Sequence, residues 1–187
     1  MARWTKTSRT ALLRESLRIV EREGLGSLSI RAVAKNLGLA PNAIYHYYPG
    51  RVELEADVAR EGWKRLLAVL LRARGKLQET EAIDAQVRAF VRFTRQHDAL
   101  YRLMLLPRPD SPEEHAIRQR YREFNAVSYG AFVPLDQVDD ARRLVWSLLH
   151  GMISLYRSGL TPEIQDIERE AVSAVRLFLT GMTKRAR

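Results

Sequence analysis

The stretch LGLAPNAIYHYYPGR, residues 37–51, decides how the chain is read. It holds three tyrosines, a histidine and two glycines, with apolar and polar residues mixed too closely for a simple amphipathic helix. The segment running into it, SIRAVAKNLG (residues 29–38), predicts a short helix, because Ser29 is a good N-cap and Gly38 a natural stop. Pro41 suits the first turn of a second short helix, and YPGR (residues 48–51) breaks it. Two short helices across a glycine turn form a helix-turn-helix pattern. The turn needs a residue comfortable at positive φ, which Gly38 supplies. Ala34 is small where the second helix crosses the first, and Val33, Leu37 and Leu39 fill the angle between them. Ile44 and Tyr48, spaced i and i+4, give the second helix one buried stripe. The framework is therefore Ala34, Gly38, Ile44 and Tyr48. What remains, namely Pro41, Asn42, Ala43, Tyr45, His46 and Tyr47, must face outward. Aromatic rings with polar tips in that place suit phosphates and base edges.

Outward from this stretch, the signals stay helical. In SRTALLRESLRIVEREG (residues 8–24), Leu13, Leu17 and Val20 share a face, and Gly24 stops the helix. A long helix is expected from about Val52 to Lys76. Another covers IDAQVRAFVRFTRQHDALYRLML (residues 83–105), where His97–Asp98 has the character of a helix end. PRPDSPEE (residues 107–114) is a loop that opens a helix reaching about Phe132. ARRLVWSLLHGMISLYRSG (residues 141–159) is a helix ended by Gly159. The last begins with Thr161 as N-cap and Pro162 in its first turn. No alternating strand or two-residue hairpin turn is evident. The expected fold is all-α, with about nine helices.

The 187 residues carry a net charge of +9, and 46% of them are hydrophobic, enough for a packed core. Residues 1–51 hold nine Lys/Arg against three Asp/Glu, so most of the excess sits in the first quarter of the chain. A local basic excess suits a polyanion. There is no cysteine, which excludes disulfides and thiolate metal sites and fits a cytoplasmic protein. No apolar run approaches a membrane span, and no apolar segment follows the basic start as in a secretory signal. An enzyme would need a nucleophile with its base, a metal set or a phosphate loop. None is visible, no histidine pair has metal-ligand spacing, and no cofactor is implied. An architectural or membrane-surface protein would use the charge without a recognition helix.

Residues 12–54, LLRESLRIVEREGLGSLSIRAVAKNLGLAPNAIYHYYPGRVEL, resemble the N-terminal DNA-binding domain of the TetR family of transcriptional regulators. The resemblance rests on three helices, the glycine after the first, SIRAVA, the Gly38 turn and the IY-x-YY element. It implies that Tyr45 and Tyr47 contact phosphate and that Pro41, Asn42, Ala43 and His46 lie near bases. Ser29, Arg31 and Arg51 complete the implied DNA-binding set, with Arg3, Lys6 and Lys35 as further cations. Ala40, Asn42, Ala43 and Arg51 depart from the family's usual residues. Ala40 cannot cap the recognition helix, which leaves its first N–H groups for a phosphate. Ala43 can touch a thymine methyl, and Asn42 can pair with adenine.

FVRFTRQHDALYRLML and LVWSLLHGMISLYRSG resemble the branch of the family with a Trp-x3-His-Gly element, here Trp146, His150 and Gly151. The resemblance implies a small-molecule pocket among the middle helices and a dimer interface on the last two. Candidate pocket residues are Trp63, Phe90, Phe93, Tyr101, Met104, Tyr121, Phe124, Trp146 and His150. For His150, a core or interface histidine is the competing reading, and for the aromatic set it is plain core. Candidate interface residues are Ser147, Leu148, Gly151, Met152, Leu155, Val175, Phe178 and Met182. The expectation is thus a DNA-binding domain over residues 1–51 and a ligand-binding and dimerisation domain over 52–187. The protein would be a homodimeric repressor on a pseudo-palindromic double-stranded DNA operator, released by a small, mostly apolar effector, with no metal and no membrane partner.

Overall fold

Every regular element among the described residues is helical, as the spacing predicts: nine α-helices and two 3-10 turns. The computed structural model describes residues 8–108 and 110–185, so Arg3 and Lys6 lie outside the described residues. Helix α1 (Arg9–Glu23) is capped by Ser8, whose Oγ accepts the Ala11 N–H at 3.2 Å, and it stops at Gly24. Its buried face is Leu12, Leu17, Ile19 and Val20, with Leu13 only partly covered. A 3-10 turn (Leu25–Ser27) leads to α2 (Ile30–Leu37) and α3 (Asn42–Tyr45), and α4 (Arg51–Arg74) then runs unbroken for 24 residues.

The next expected helix is in fact two. His97 leaves the helical region at φ −120° and ψ 44°, which separates α5 (Glu79–Gln96) from α6 (Asp98–Met104). The new helix begins on Asp98, where an acid favours the positive end of the helix dipole. Helix α7 (Pro112–Tyr129), a 3-10 turn (Leu135–Gln137) and α8 (Val138–Arg157) follow. The last helix, α9 (Ile167–Arg185), starts later than Thr161–Pro162. Asp166 Oδ1 accepts the N–H groups of Glu168 and Arg169 at 3.1 Å each, so it supplies the cap. Thr161 and Ile164 instead close a turn, Ile164 N–H to Thr161 O at 3.1 Å.

The chain divides into two compact units. The first takes the residues up to Arg65 together with His97–Glu114; the second takes Leu66–Gln96 and His115 onward. A boundary at Arg51 was the expectation; by contacts within the chain, residues 51–65 of α4 and 112–114 of α7 belong to the first unit and the rest of both helices to the second. Helix α6 joins the first unit because it packs on α1.

In the second unit α9 lies against both α5 and α8. Arg92 pairs with Glu168 at 2.8 Å and Arg176 pairs with Asp84, two bridges that set α5 and α9 antiparallel. Exposed pairs of this kind contribute little energy but fix the register. The stripe Ile167, Ala171, Val175 and Leu179 is buried in this packing. Val175 is therefore a core residue of the chain itself and not an interface residue. Phe178 is half-buried, and Met182 packs on the cluster of Val133, Val138 and Ala141. Most of the apolar excess on α9 is consumed because the helix has two neighbours to cover, not one, while Leu177 stays exposed.

Candidate nucleic-acid interface

The turn between α2 and α3 follows from local chemistry. Ser29 Oγ accepts the Ala32 N–H at 3.1 Å and so caps α2. Gly38 ends the helix at φ 66° and ψ 37°, in the left-handed region, where an L side chain would be strained. Its N–H and that of Leu39 return to the carbonyls of Lys35 and Ala34 at 3.1 and 2.9 Å. Helix α2 is tied to α1 through Glu15, which accepts from Asn36 Nδ2 at 2.8 Å and pairs with Arg18 at 2.6 Å. The Arg18 hydrogen bond, reinforced by Asn36, holds the Glu15 carboxyl below the usual carboxylate range despite burial.

Helix α3 is a single turn. Two of the N–H groups at its start, those of Ala43 and Ile44, are not free for a phosphate, contrary to the expectation from Ala40. Ala43 N–H donates to Ala40 O and Ile44 N–H to Pro41 O, both at 3.0 Å. Pro41 itself occupies the cap position. Ile44 and Tyr48 are fully buried, as are Val33 and Ala34. Tyr45 is 50% exposed and Tyr47 36%, and Pro41, Asn42 and His46 are exposed beside them. Ala43 and Ser29 are half-covered. Arg31, Lys35 and Arg51 are exposed, with Arg51 paired to Glu55 at 2.6 Å one turn along α4.

The seat of α3 rests on a residue that sequence reasoning missed. Asp57, on α4, accepts the Tyr48 hydroxyl at 2.6 Å, Arg9 Nε at 2.9 Å and an Arg60 N–H at 2.9 Å. The Arg9 guanidinium also lies 5.3 Å from the centre of the Tyr48 ring. Burial alone would raise the Asp57 carboxyl, but the bonds from Arg9, Tyr48 and Arg60 hold it below its ordinary value. Tyr48 is pushed well above the usual phenol range, by burial first and then by the bond to Asp57. The only signal in sequence is an acid among the inward residues Leu54, Ala56 and Val58, and that signal does not name its partners.

The family model for bacterial regulatory proteins of the tetR family matches residues 12–58, and the model for the tetracyclin repressor-like C-terminal domain matches residues 83–178. The chain belongs to the TetR family. It is therefore a DNA-binding transcriptional regulator and not an enzyme. A Mycobacterium tuberculosis protein described as an uncharacterized HTH-type transcriptional regulator is 25% identical over 190 residues, covering 99% of this chain and 86% of its own length. The TetR-family regulator PfmR of Thermus thermophilus is similar in structure, with a TM-score of 0.61 and 26% identity over 92% of this chain and 95% of that one. A Rhodococcus protein of unknown function shares the fold at TM-score 0.76 and 22% identity, over 94% and 95% of the two chains. No helix among the described residues is long and apolar enough to cross a membrane.

The candidate pocket residues of this TetR-family chain fall in both compact units. In the first unit, Tyr101 and Met104 are buried core, and the half-buried Trp63 donates its indole N–H to Met104 O at 3.2 Å. In the second, Phe90, Phe93 and Phe124 are buried and Tyr121 half-buried. Trp146 is 36% exposed, with His150 as its ring neighbour at 6.1 Å. It stands at the surface of this unit because α8 turns Val145 and Leu149 inward. Of the candidate interface residues on α8, Ser147 and Leu155 are exposed, whereas Leu148, Gly151 and Met152 are half-covered.

Proposed function

We propose that the protein acts as a homodimeric repressor whose hold on a pseudo-palindromic operator is released by a small, mostly apolar molecule bound in the second unit. The observation that carries the DNA-reading half is the seat of α3: Ile44 and Tyr48 wholly buried, Tyr45, His46 and Tyr47 turned outward. A one-turn helix held so firmly presents its outer side chains in fixed geometry, as base and phosphate recognition requires. Tyr45 and Tyr47 hold phosphates; Asn42, Ala43 and His46 read bases; Ser29, Arg31 and Arg51 support them.

Dimerisation is supported by two helical glycines. A Cβ added at Gly151 on α8 or at Gly181 on α9 would meet nothing within 4 Å in the chain itself. Mid-helix glycine costs about 1 kcal/mol against alanine, and close approach to a second copy gives it a purpose. Leu144 and Leu155 on α8 and Leu177 on α9 extend that outward surface. Two recognition helices about 34 Å apart then enter successive major grooves. Effector binding biases α4, a helix with residues in both units, and so changes the spacing of the two heads.

The test is selection of bound duplexes from a random pool, repeated with a metabolite library. A pseudo-palindromic consensus whose retention falls with one metabolite class is the expected result. Uniform retention of all sequences would reject operator recognition, and a consensus insensitive to every metabolite would reject effector release.

A further inference from the structure

Among the described residues of the second unit, four side-chain atoms are buried without a hydrogen-bond partner: Gln86 Nε2, Asn125 Nδ2 and Ser128 Oγ on buried residues, and Thr161 Oγ1 on a half-buried one. Gln86 is 6% exposed, Asn125 4% and Ser128 3%. A buried donor left unpaired carries a large desolvation penalty, and native chains rarely retain several together without reason.

Their places on the helices supply one. On α5 the bridges from Asp84 and Arg92 mark the side that meets α9. At 3.6 residues per turn, Gln86 falls on the other side of the helix, on one stripe with Ile83, Phe90 and Phe93. On α7, Ile117, Tyr121, Phe124, Asn125 and Ser128 fall within an arc of about 100°, and all are buried or half-buried. Each helix thus carries an aromatic face into which one or two unsatisfied polar groups are set. An apolar wall with a few placed hydrogen-bonding groups is the usual composition of a small-molecule site.

Among the described residues of α5 and α7, Glu114 near the start of α7 is the one buried charged side chain, and Arg108 already pairs with it at 3.1 Å. A carboxylate or an ammonium there would lack a counter-ion, and its desolvation would not be offset. A neutral oxygen acceptor would satisfy the amide donors.

From these observations we infer that the α5 and α7 faces bind a neutral, largely apolar molecule through a carbonyl oxygen (ketone, ester, lactone or amide), with Gln86, Asn125 and Ser128 as its hydrogen-bonding groups. The inference rests on the effector reading above and names the chemistry of that site.

The test uses the full-length protein and three probes of one skeleton: 2-acetylnaphthalene, its hydrocarbon counterpart 2-ethylnaphthalene, and 2-naphthoate. The ketone should bind more tightly than the hydrocarbon by about fivefold or more, the equivalent of one hydrogen bond, and more tightly than the anion. Gln86→Leu and Asn125→Leu should each abolish the preference for ketone over hydrocarbon. Each should also raise the Tm of the ligand-free protein by about 2–4 °C, because an orphaned amide is replaced by an apolar side chain. A structural amide, bonded within the chain or to a buried water, would instead give a lowered Tm in both variants, and that overturns the inference. So does equal affinity for ketone and hydrocarbon, tightest binding of the anion, or no binding of any probe. If the ketone binds as expected but leaves operator affinity unchanged, effector release fails and the site stands.

Discussion

The Tyr48 hydroxyl donates to Asp57 Oδ2 across 2.6 Å, joining the residue that follows the recognition helix to the interior side of α4. The same oxygen accepts from Arg9, and the second carboxylate oxygen accepts from Arg60, so one carboxylate fastens three segments. Tyr48→Phe removes one charge-assisted bond and leaves the ring in place. It should cost about 1.5–3 kcal/mol in urea unfolding. The pH dependence has a definite sign. Asp57 is held below its ordinary value of 3.8, so the network contributes stability above that pH and loses it as acid titrates the folded carboxylate. Asp57→Asn should therefore be less stable than the parent at neutral pH, and the difference should shrink below about pH 4. A stability gap that is constant from pH 7 to pH 3 would refute the assignment.

Gly62 on α4 marks a close approach of α6. An added Cβ would stand 2.7 Å from Met104 Sδ and 3.1 Å from Leu100 Cδ1. Both neighbours are buried, so Gly62→Ala has to displace packed atoms at about 1–3 kcal/mol. Better helix propensity returns up to about 1 kcal/mol. The net expectation is a loss of up to about 2 kcal/mol, and a thermal melt showing Gly62→Ala more stable than the parent would place α6 farther from α4. Adding Met104→Ala to the same chain should recover part of the loss from Gly62→Ala, as residues sharing one contact are non-additive.

Much of the first unit was legible because it is built from short-range chemistry. Ser29, Gly38, Ile44 and Tyr48 act through neighbours a few residues away, and helical spacing announces them. Asp57 escaped because its partners sit 48 and 9 residues before it, and no periodicity connects an acid to a distant arginine and tyrosine. The last helix was misread for a related reason. Its apolar stripe is real, but spacing does not say which neighbour covers it, and α5 and α8 together bury Val175. Its start was misplaced because Thr161–Pro162 and Asp166 are competing caps, and only the hydrogen bonds of Asp166 decide between them.

Leu177 is the most exposed large apolar side chain on α9, at 78%, and no packing within the chain requires it. Leu177→Glu should leave the folded protomer intact and weaken the dimer, because a charge is inserted where apolar surface is buried on association. Gly151→Leu places a large side chain where the chain itself offers open space, so folding should survive and only a close partner should clash. Sedimentation velocity over a concentration series should show both variants as folded monomers with parental helix content. Dimers of parental affinity in both would move the interface to another face.

Binding to the operator should separate the outward residues of α3 by role. Tyr47 is half-exposed beside the helix end, and a phosphate contact carries no sequence information. Tyr47→Phe should therefore weaken specific and random duplexes by the same factor. Asn42 sits at the first position of α3, exposed, where its amide can bond two atoms of one adenine edge. Asn42→Ala should relax preference at one or two base pairs per half-site, by about 1–3 kcal/mol. Salt gives an independent check. Arg31, Lys35 and Arg51 are exposed, but Arg51 already has Glu55 at 2.6 Å, so in the free protein part of its charge is neutralised. Glu55→Gln should free that guanidinium and steepen the fall of log K with log salt by up to about 0.9 for one added phosphate contact. An unchanged slope in Glu55→Gln would remove Arg51 from the phosphate contacts, and identical discrimination in the Tyr47 and Asn42 variants would dissolve the division between gripping and reading.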